Sequence, residues 1–272
     1  MPGSAAAVTG GQYDGNGHPY VAYLSNGVFA CSGTLLSPTV MLTAAHCFST
    51  STSVLGDNKA TGAPLVAVSF DPNLALEPSG QRTWEIGTYY FDPQFAGLGN
   101  GLPDADSHDV AIVVFTKKGC YVGPHAPPNG TCGPISSSTT GGQYGVLPSL
   151  GLVDSLKMNT PVDLVGYGVQ DFLVGGGPPQ DGSSGTRFYG QTTLIASNDT
   201  ISAEFLKLHN GSCFGDSGGP DLLAGTNVVL AENSFLNNGV CAGDTYSYRV
   251  DTAQAQSWIT TTVAARGGSL SH

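Results

Sequence analysis

Residues 215–220 read Gly215-Asp216-Ser217-Gly218-Gly219-Pro220, and the rest of the chain is best read outward from this hexapeptide. Glycines on both sides of the Asp-Ser pair let the backbone turn its amides inward around a hydroxyl. Toward the N-terminus, two further segments carry chemistry: His108-Asp109-Val110-Ala111-Ile112 and Leu42-Thr43-Ala44-Ala45-His46-Cys47. Together they supply a candidate general base in His46, a carboxylate to orient it in Asp109, and a hydroxyl nucleophile in Ser217, the three roles needed for acyl transfer. Each residue also has an ordinary reading, as a core histidine, a strand-capping aspartate and a turn serine. A carboxylate directly before the apolar run Val110 to Phe115 is costly unless it is hydrogen-bonded, which favours the chemical reading of Asp109.

Composition narrows the alternatives. The chain has 272 residues with 9 Lys and Arg against 20 Asp and Glu, a formal net charge of -11. So acidic a surface is badly suited to a phosphate backbone, and nucleic-acid binding is not expected. The 39 Gly and 17 Pro suit short strands and many turns. The six cysteines, Cys31, Cys47, Cys120, Cys132, Cys213 and Cys241, fit three disulfides in a secreted protein. They contain no Cys-x-x-Cys, and no pair of histidines has helical ligand spacing, so neither a metal site nor a cofactor is expected. No apolar run is long enough to cross a bilayer, so no membrane partner is expected, and no signal-peptide pattern opens the chain.

Strand signals dominate. They fall at Val40 to Ala45, Leu65 to Phe70, Val110 to Phe115, Val162 to Val165, Gly190 to Ala196, Val228 to Ala231 and Tyr246 to Val250. Phe91 to Asp106 reads as a long surface loop, and Pro124 to Gly142 as the crossing between two halves. The one helix predicted is Thr252 to Ala265, whose Ala, Gln and Trp258 side chains give it an apolar docking face.

The motifs and the order His, Asp, Ser resemble the chymotrypsin/trypsin family of serine endopeptidases, over roughly Val8 to Ile259. Val165-Gly166-Tyr167-Gly168 and Ser257-Trp258-Ile259 add to the resemblance. It implies an all-β fold of two antiparallel six-stranded β-barrels with a C-terminal helix. Residues 8–130 would carry His46 and Asp109, residues 131–250 would carry Ser217 and the substrate pocket, and residues 251–265 would form the helix. It implies an acyl-enzyme mechanism on polypeptide substrates, with the amides of Gly215 and Ser217 as oxyanion hole. By the same resemblance Cys31 pairs with Cys47 and Cys213 with Cys241, leaving Cys120 with Cys132 by subtraction.

In such a fold the residue six before the nucleophile sets the pocket base; here it is Gly211, followed by Ser212, with no carboxylate to receive Arg or Lys. The opposite wall has two registers. Counting back from Arg249-Val250 brings Thr245 to the base and implies small or medium apolar residues, the favoured reading. Counting on from Cys241 brings Asp244 and restores a preference for Arg or Lys. The remaining wall lies within Ala231 to Phe235, where Glu232 or Asn233 entering the pocket would upset either account. Ala231 falls near a position where the family has a serine bonded to the catalytic aspartate, with Ser234 the alternative if the register slips.

Val8-Thr9-Gly10-Gly11 resembles the family's mature start, whose ammonium would pair with Asp216, so Met1 to Ala7 reads as a zymogen pro-segment or an added leader. The Ala7-Val8 bond does not suit a trypsin-like activator. The expected protein is a secreted, extracellular monomer, with protein protease inhibitors as a second class of partner. An inactive binding module of the same fold and an esterase or lipase are the rival readings. Three sequons, at Asn129, Asn198 and Asn210, permit N-glycosylation.

Overall fold

A computed structural model describes residues 8, 11–74, 82–97, 107–170, 185–196, 202–236, 241 and 243–271. The whole predicted pro-segment Met1 to Ala7, Thr9 and Gly10 of the motif after it, part of the loop after Phe91 and the Asn198 sequon lie outside these residues. The strands are β1 (Gln12–Tyr13), β2 (Val21–Ser25), β3 (Ala30–Ser37), β4 (Val40–Thr43), β5 (Leu65–Ser69), β6 (Trp84–Phe91), β7 (Ala111–Val114) and β8 (Gly130–Cys132), then β9 (Pro161–Gly166), β10 (Phe188–Ala196), β11 (Phe205–Leu208), β12 (Pro220–Leu223), β13 (Val229–Leu236) and β14 (Thr245–Arg249). A four-residue helix α1 (Ser137–Thr140) lies between the two sets, and α2 (Ala253–Arg266) ends the fold.

The strands close into two six-stranded antiparallel barrels. One runs β5-β2-β3-β4-β7-β6 and returns to β5; the other runs β10-β11-β14-β13-β12-β9 and returns to β10. Closure leaves no open edge within either ring. Two short strands add to the rings from outside. The parallel strand β8, which straddles residue 130, pairs with β6, whereas β1 near the N-terminus pairs with β10 of the C-terminal barrel. One apolar core runs from Leu35, Leu42 and Ile112 of the first barrel through Val165, Leu222 and Tyr248 of the second to Ile259 of α2. A separate cluster fills the C-terminal barrel, and Val8 is buried in it beside Leu164, Leu206 and Leu230.

The helix α2 begins one residue later than predicted because Thr252 caps it, its side chain accepting from the Ala255 N–H, and it ends at a left-handed Gly267. Its buried face is Ala255, Ile259 and Val263, with Trp258 only partly covered. All three disulfides form: Cys31–Cys47, Cys120–Cys132 and Cys213–Cys241.

The largest fully buried side chain is a cation, Arg187. Its Nε donates to Asp14 Oδ2 at 2.8 Å, Nη1 to the carbonyls of Val21 and Phe70, and Nη2 to the Gly15 carbonyl at 2.5 Å. Asp14 also accepts from His18. Burial acts to raise the Asp14 carboxyl, and the His18 hydrogen bond and Arg187 charge outweigh it, holding the group below the usual range. We expect Arg187→Met to destabilise the fold by about 3–5 kcal/mol, because it strands Asp14 in the interior. Urea unfolding at neutral pH measures this, and a loss under 1 kcal/mol would mean that the segment carrying Asp14 is held by other contacts.

Candidate active site

His46 sits in the turn that follows β4, and Asp109 in the turn that leads into β7. Strands β4 and β7 are hydrogen-bonded neighbours, with Thr43 opposite Ala111, so the two turns emerge side by side. Asp109 is fully buried and grips His46 twice: Oδ1 accepts from the His46 backbone N–H and Oδ2 from Nδ1, each at 2.8 Å. Ser234 Oγ also donates to Oδ2. Burial alone would push this carboxyl up; the His46 charge and these hydrogen bonds hold it below the usual carboxylate range. Tyr89 supports the same turn from beneath, its hydroxyl lying 2.8 Å from both the Ala44 and Ala45 carbonyls.

The Ser234 contact puts the serine beside Asp109 at Ser234 and not at the Ala231 position. Ala231 belongs instead to the apolar cluster of the C-terminal barrel, and Ser234 is the extra residue of a bulge in β13 between Asn233 and Phe235. Neither Glu232 nor Asn233 lines the cleft. Both are buried, and Asn233 donates to the Gly219 carbonyl.

Ser217 comes from the other barrel. Its loop is pressed against the first barrel, with the Ser217 carbonyl accepting from Ser32 N–H and the Gly215 carbonyl from Ser32 Oγ. Gly218 has φ +75°, and a Cβ there would meet Ala44 N and Ser32 O at 2.7 Å, so this position admits only glycine. The Gly215 and Ser217 N–H groups donate to no acceptor among the described residues. His46, Gly215 and Ser217 line one cleft of about 720 Å³. The Cys31–Cys47 disulfide forms part of its wall, and the solvent-exposed Val28, Phe29 and Phe214 stand around it. Cys31, His46 and Cys47 lie close together, but the disulfide leaves neither sulfur as a thiolate to ligate a metal.

Ser212, next to Gly211, meets Thr245: its Oγ lies 3.1 Å from Thr245 Oγ1, both residues being buried. Asp244 points elsewhere, its carboxylate 2.9 Å from Lys207 Nζ and a third exposed. Leu236 is the strand partner of Thr245. Asn210 of the third sequon already accepts from Gly243 N–H, joining the two loops.

Asp216 is fully buried beneath Gly166 and Gly168, where a Cβ on either residue would collide with its carboxylate. It accepts from the N–H groups of Gly168 and Cys213, at 2.7 and 2.9 Å. No cation faces it among the described residues, and burial pushes its pKa up to about 7 against the pull of those two amides.

A model of the trypsin family matches residues 7–259. Among solved structures, HL collagenase aligns with TM-score 0.59 and 19% identity, covering 96% of this chain and 98% of its own. A mutant of human heparin binding protein aligns with TM-score 0.60 and 16% identity, covering 93% and 95%. None of the curated proteins compared with the chain matches it.

Two further carboxyls lie behind the site. Asp221 on β12 and Glu232 on β13 are fully buried, and none of their four oxygens has a hydrogen-bond partner among the described residues. Burial pushes Asp221 up to about 8, with a smaller lowering from Ser247, and raises Glu232 well above the usual range, helped by the charges of Asp109 and Asp221. At about 8, the Asp221 carboxyl is mostly protonated in the folded chain at pH 7. An unfolded Asp releases its proton near pH 4, whereas folded Asp221 keeps it to about pH 8, so the stability present below pH 4 is lost as pH rises across that interval. The slope is on the order of 1 kcal/mol per pH unit for each such group. We expect Asp221→Asn to flatten the fall in unfolding free energy between pH 5 and 8; equal slopes in variant and wild type would show that Asp221 is ionised in the fold.

Proposed function

The chain belongs to the trypsin family, and from that premise we propose that it is a secreted serine endopeptidase acting through His46, Asp109 and Ser217. The observation that carries this reading is the double grip of a fully buried Asp109 on His46, in a cleft shared with Ser217 and two unused backbone N–H groups. In the proposed reaction, His46 Nε2 takes the Ser217 hydroxyl proton as Oγ attacks the scissile carbonyl carbon. Asp109 stays ionised, fixes the Nδ1–H tautomer and stabilises the imidazolium. The Gly215 and Ser217 amides receive the oxyanion. His46 then protonates the leaving amine, and water, deprotonated by the same imidazole, hydrolyses the acyl-enzyme. The absence of free cysteines among the described residues is consistent with secretion.

For the residue before the cleaved bond, a small or medium apolar side chain is the favoured fit. Ser212 and Thr245 offer hydroxyls, Gly211 offers no side chain and none of the three carries a charge, whereas Asp244 is engaged by Lys207. Burying an unpartnered substrate cation would forfeit several kcal/mol of hydration. Beyond the cleaved bond, Val28, Phe29 and Phe214 favour apolar residues. A free ammonium at Val8, close enough to pair with Asp216, would remove the cost of burying that carboxylate. Release of Met1 to Ala7 is therefore the proposed activation step.

Ser217→Ala is expected to abolish peptide hydrolysis and labelling by a fluorophosphonate while leaving the thermal midpoint unchanged. Asp109→Asn should lower turnover on the order of 10⁴-fold. A wild-type chain starting at Val8 that neither cleaves peptides nor takes the label would point instead to a binding module. Peptide-library profiling of wild type and Asp244→Ala tests the pocket: the expected profiles are alike and apolar, and an Arg or Lys preference lost in the variant would reverse the assignment of Thr245.

A further inference from the structure

His108, directly before Asp109, has an environment that acyl transfer itself does not require. It is one of the few non-glycine residues with positive φ, at 48°, a conformation that costs free energy and persists only where the surroundings hold it. Its ring is buried, and Nδ1 donates to Asp92 Oδ2 at 3.1 Å, both side chains being 5% exposed or less. From α2, the Gln254 amide Nε2 lies against the same ring and donates to its Nε2 at 2.9 Å, the acceptor nitrogen when Nδ1 carries the proton given to Asp92. Asp92 also holds the far side of the turn, its N–H donating to the Val110 carbonyl at 3.0 Å, while Val110 N–H closes back on the His108 carbonyl at 2.8 Å. Asp92 thus grips the residues on both sides of Asp109, one by side chain and one by backbone.

We infer that His108, locked by Asp92 and Gln254, is a positioning residue: it fixes the strained turn that aims the Asp109 carboxylate at both the backbone and the ring of His46. The inference rests on the proposed role of Asp109. It follows from the geometry of the grip. Two hydrogen bonds of 2.8 Å to groups on one residue tolerate little rotation of the carboxylate. The backbone that sets its direction is held by the residue before it. Relaxation of φ at residue 108 toward the ordinary region would swing the Asp109 Cα–Cβ bond away from His46.

The test compares His108→Ala with His108→Asn. Asparagine tolerates positive φ and its amide can donate to Asp92; alanine does neither. His108→Ala should lower kcat on the order of 10- to 100-fold with KM nearly unchanged, as expected for a misplaced catalytic group, and His108→Asn should recover most of it. The second readout is the low-field proton NMR signal of His46 Nδ1–H in its bond to Asp109, which needs no turnover. It should weaken or move in His108→Ala and return in His108→Asn. If folded His108→Ala keeps wild-type kcat and an unchanged low-field signal, the inference is wrong. Should the wild type itself fail to hydrolyse peptides, the proposed function falls, and the NMR comparison still decides whether His108 positions Asp109.

Discussion

Burial of the Arg187 guanidinium constrains most of the architecture. A cation with no exposed surface must find an acceptor for each N–H it turns inward. Here the acceptors come from three places: Asp14 and Gly15 near the N-terminus, Val21 and Phe70 in the first barrel, and the Tyr167 hydroxyl in the second. These segments cannot separate without exposing an unpaired charge to the protein interior. That matters for the cleft, because His46 and Asp109 come from one barrel and Ser217 from the other. Their alignment is only as good as the packing of barrel on barrel. The tight seat of Gly218 against Ala44 and Ser32 fixes the same relation from the cleft side.

Asp14, Asp109, Asp216, Asp221 and Glu232 all have side chains almost wholly withdrawn from water and differ in what surrounds them. Asp109 receives the His46 amide, the His46 ring and Ser234, and its pKa falls. Asp14 has Arg187 and His18 and also falls. Asp216 has two amides and no cation, and rises to about 7. Asp221 and Glu232 have no hydrogen-bond partner among the described residues and rise further. Desolvation is common to all five, so the number and charge of the donors decides which carboxyls stay ionised. The group proposed to stabilise an imidazolium is the one given the means to remain an anion.

Much of the site was legible because its demands are local. Gly218 must be glycine for lack of space, and Gly166 and Gly168 leave room for the Asp216 carboxylate, so the short motifs carry their geometry with them. The pairing Cys31–Cys47 comes from the family resemblance and not from spacing, and the structure forms it. What was hard to read depends on distant partners. The serine bonded to Asp109 is Ser234, three residues beyond Ala231, and it is the unpaired residue of the bulge in β13, a feature with no fixed sequence mark. Strand β6 was passed over because its buried stretch contains Gly87 and Thr88, and β12 because it opens with Pro220 and buries the polar Asp221. Burial of both faces, between ring interior and neighbouring elements, erases the alternation on which strand prediction relies.

The pairing of β1 with β10 has a consequence for how the protein is made. A ribosome releases Gln12 and Tyr13 early, but their partners Phe188 and Tyr189 follow only after most of the chain has been synthesised. The first barrel can close during translation while its N-terminal strap stays undocked, and Asp14 has no guanidinium to neutralise it until Arg187 emerges. Ser217 comes later still, and the last strand and helix after that. A nascent or truncated chain that stops before residue 217 therefore holds His46 and Asp109 without Ser217 and without the glycines that seat its loop on the first barrel.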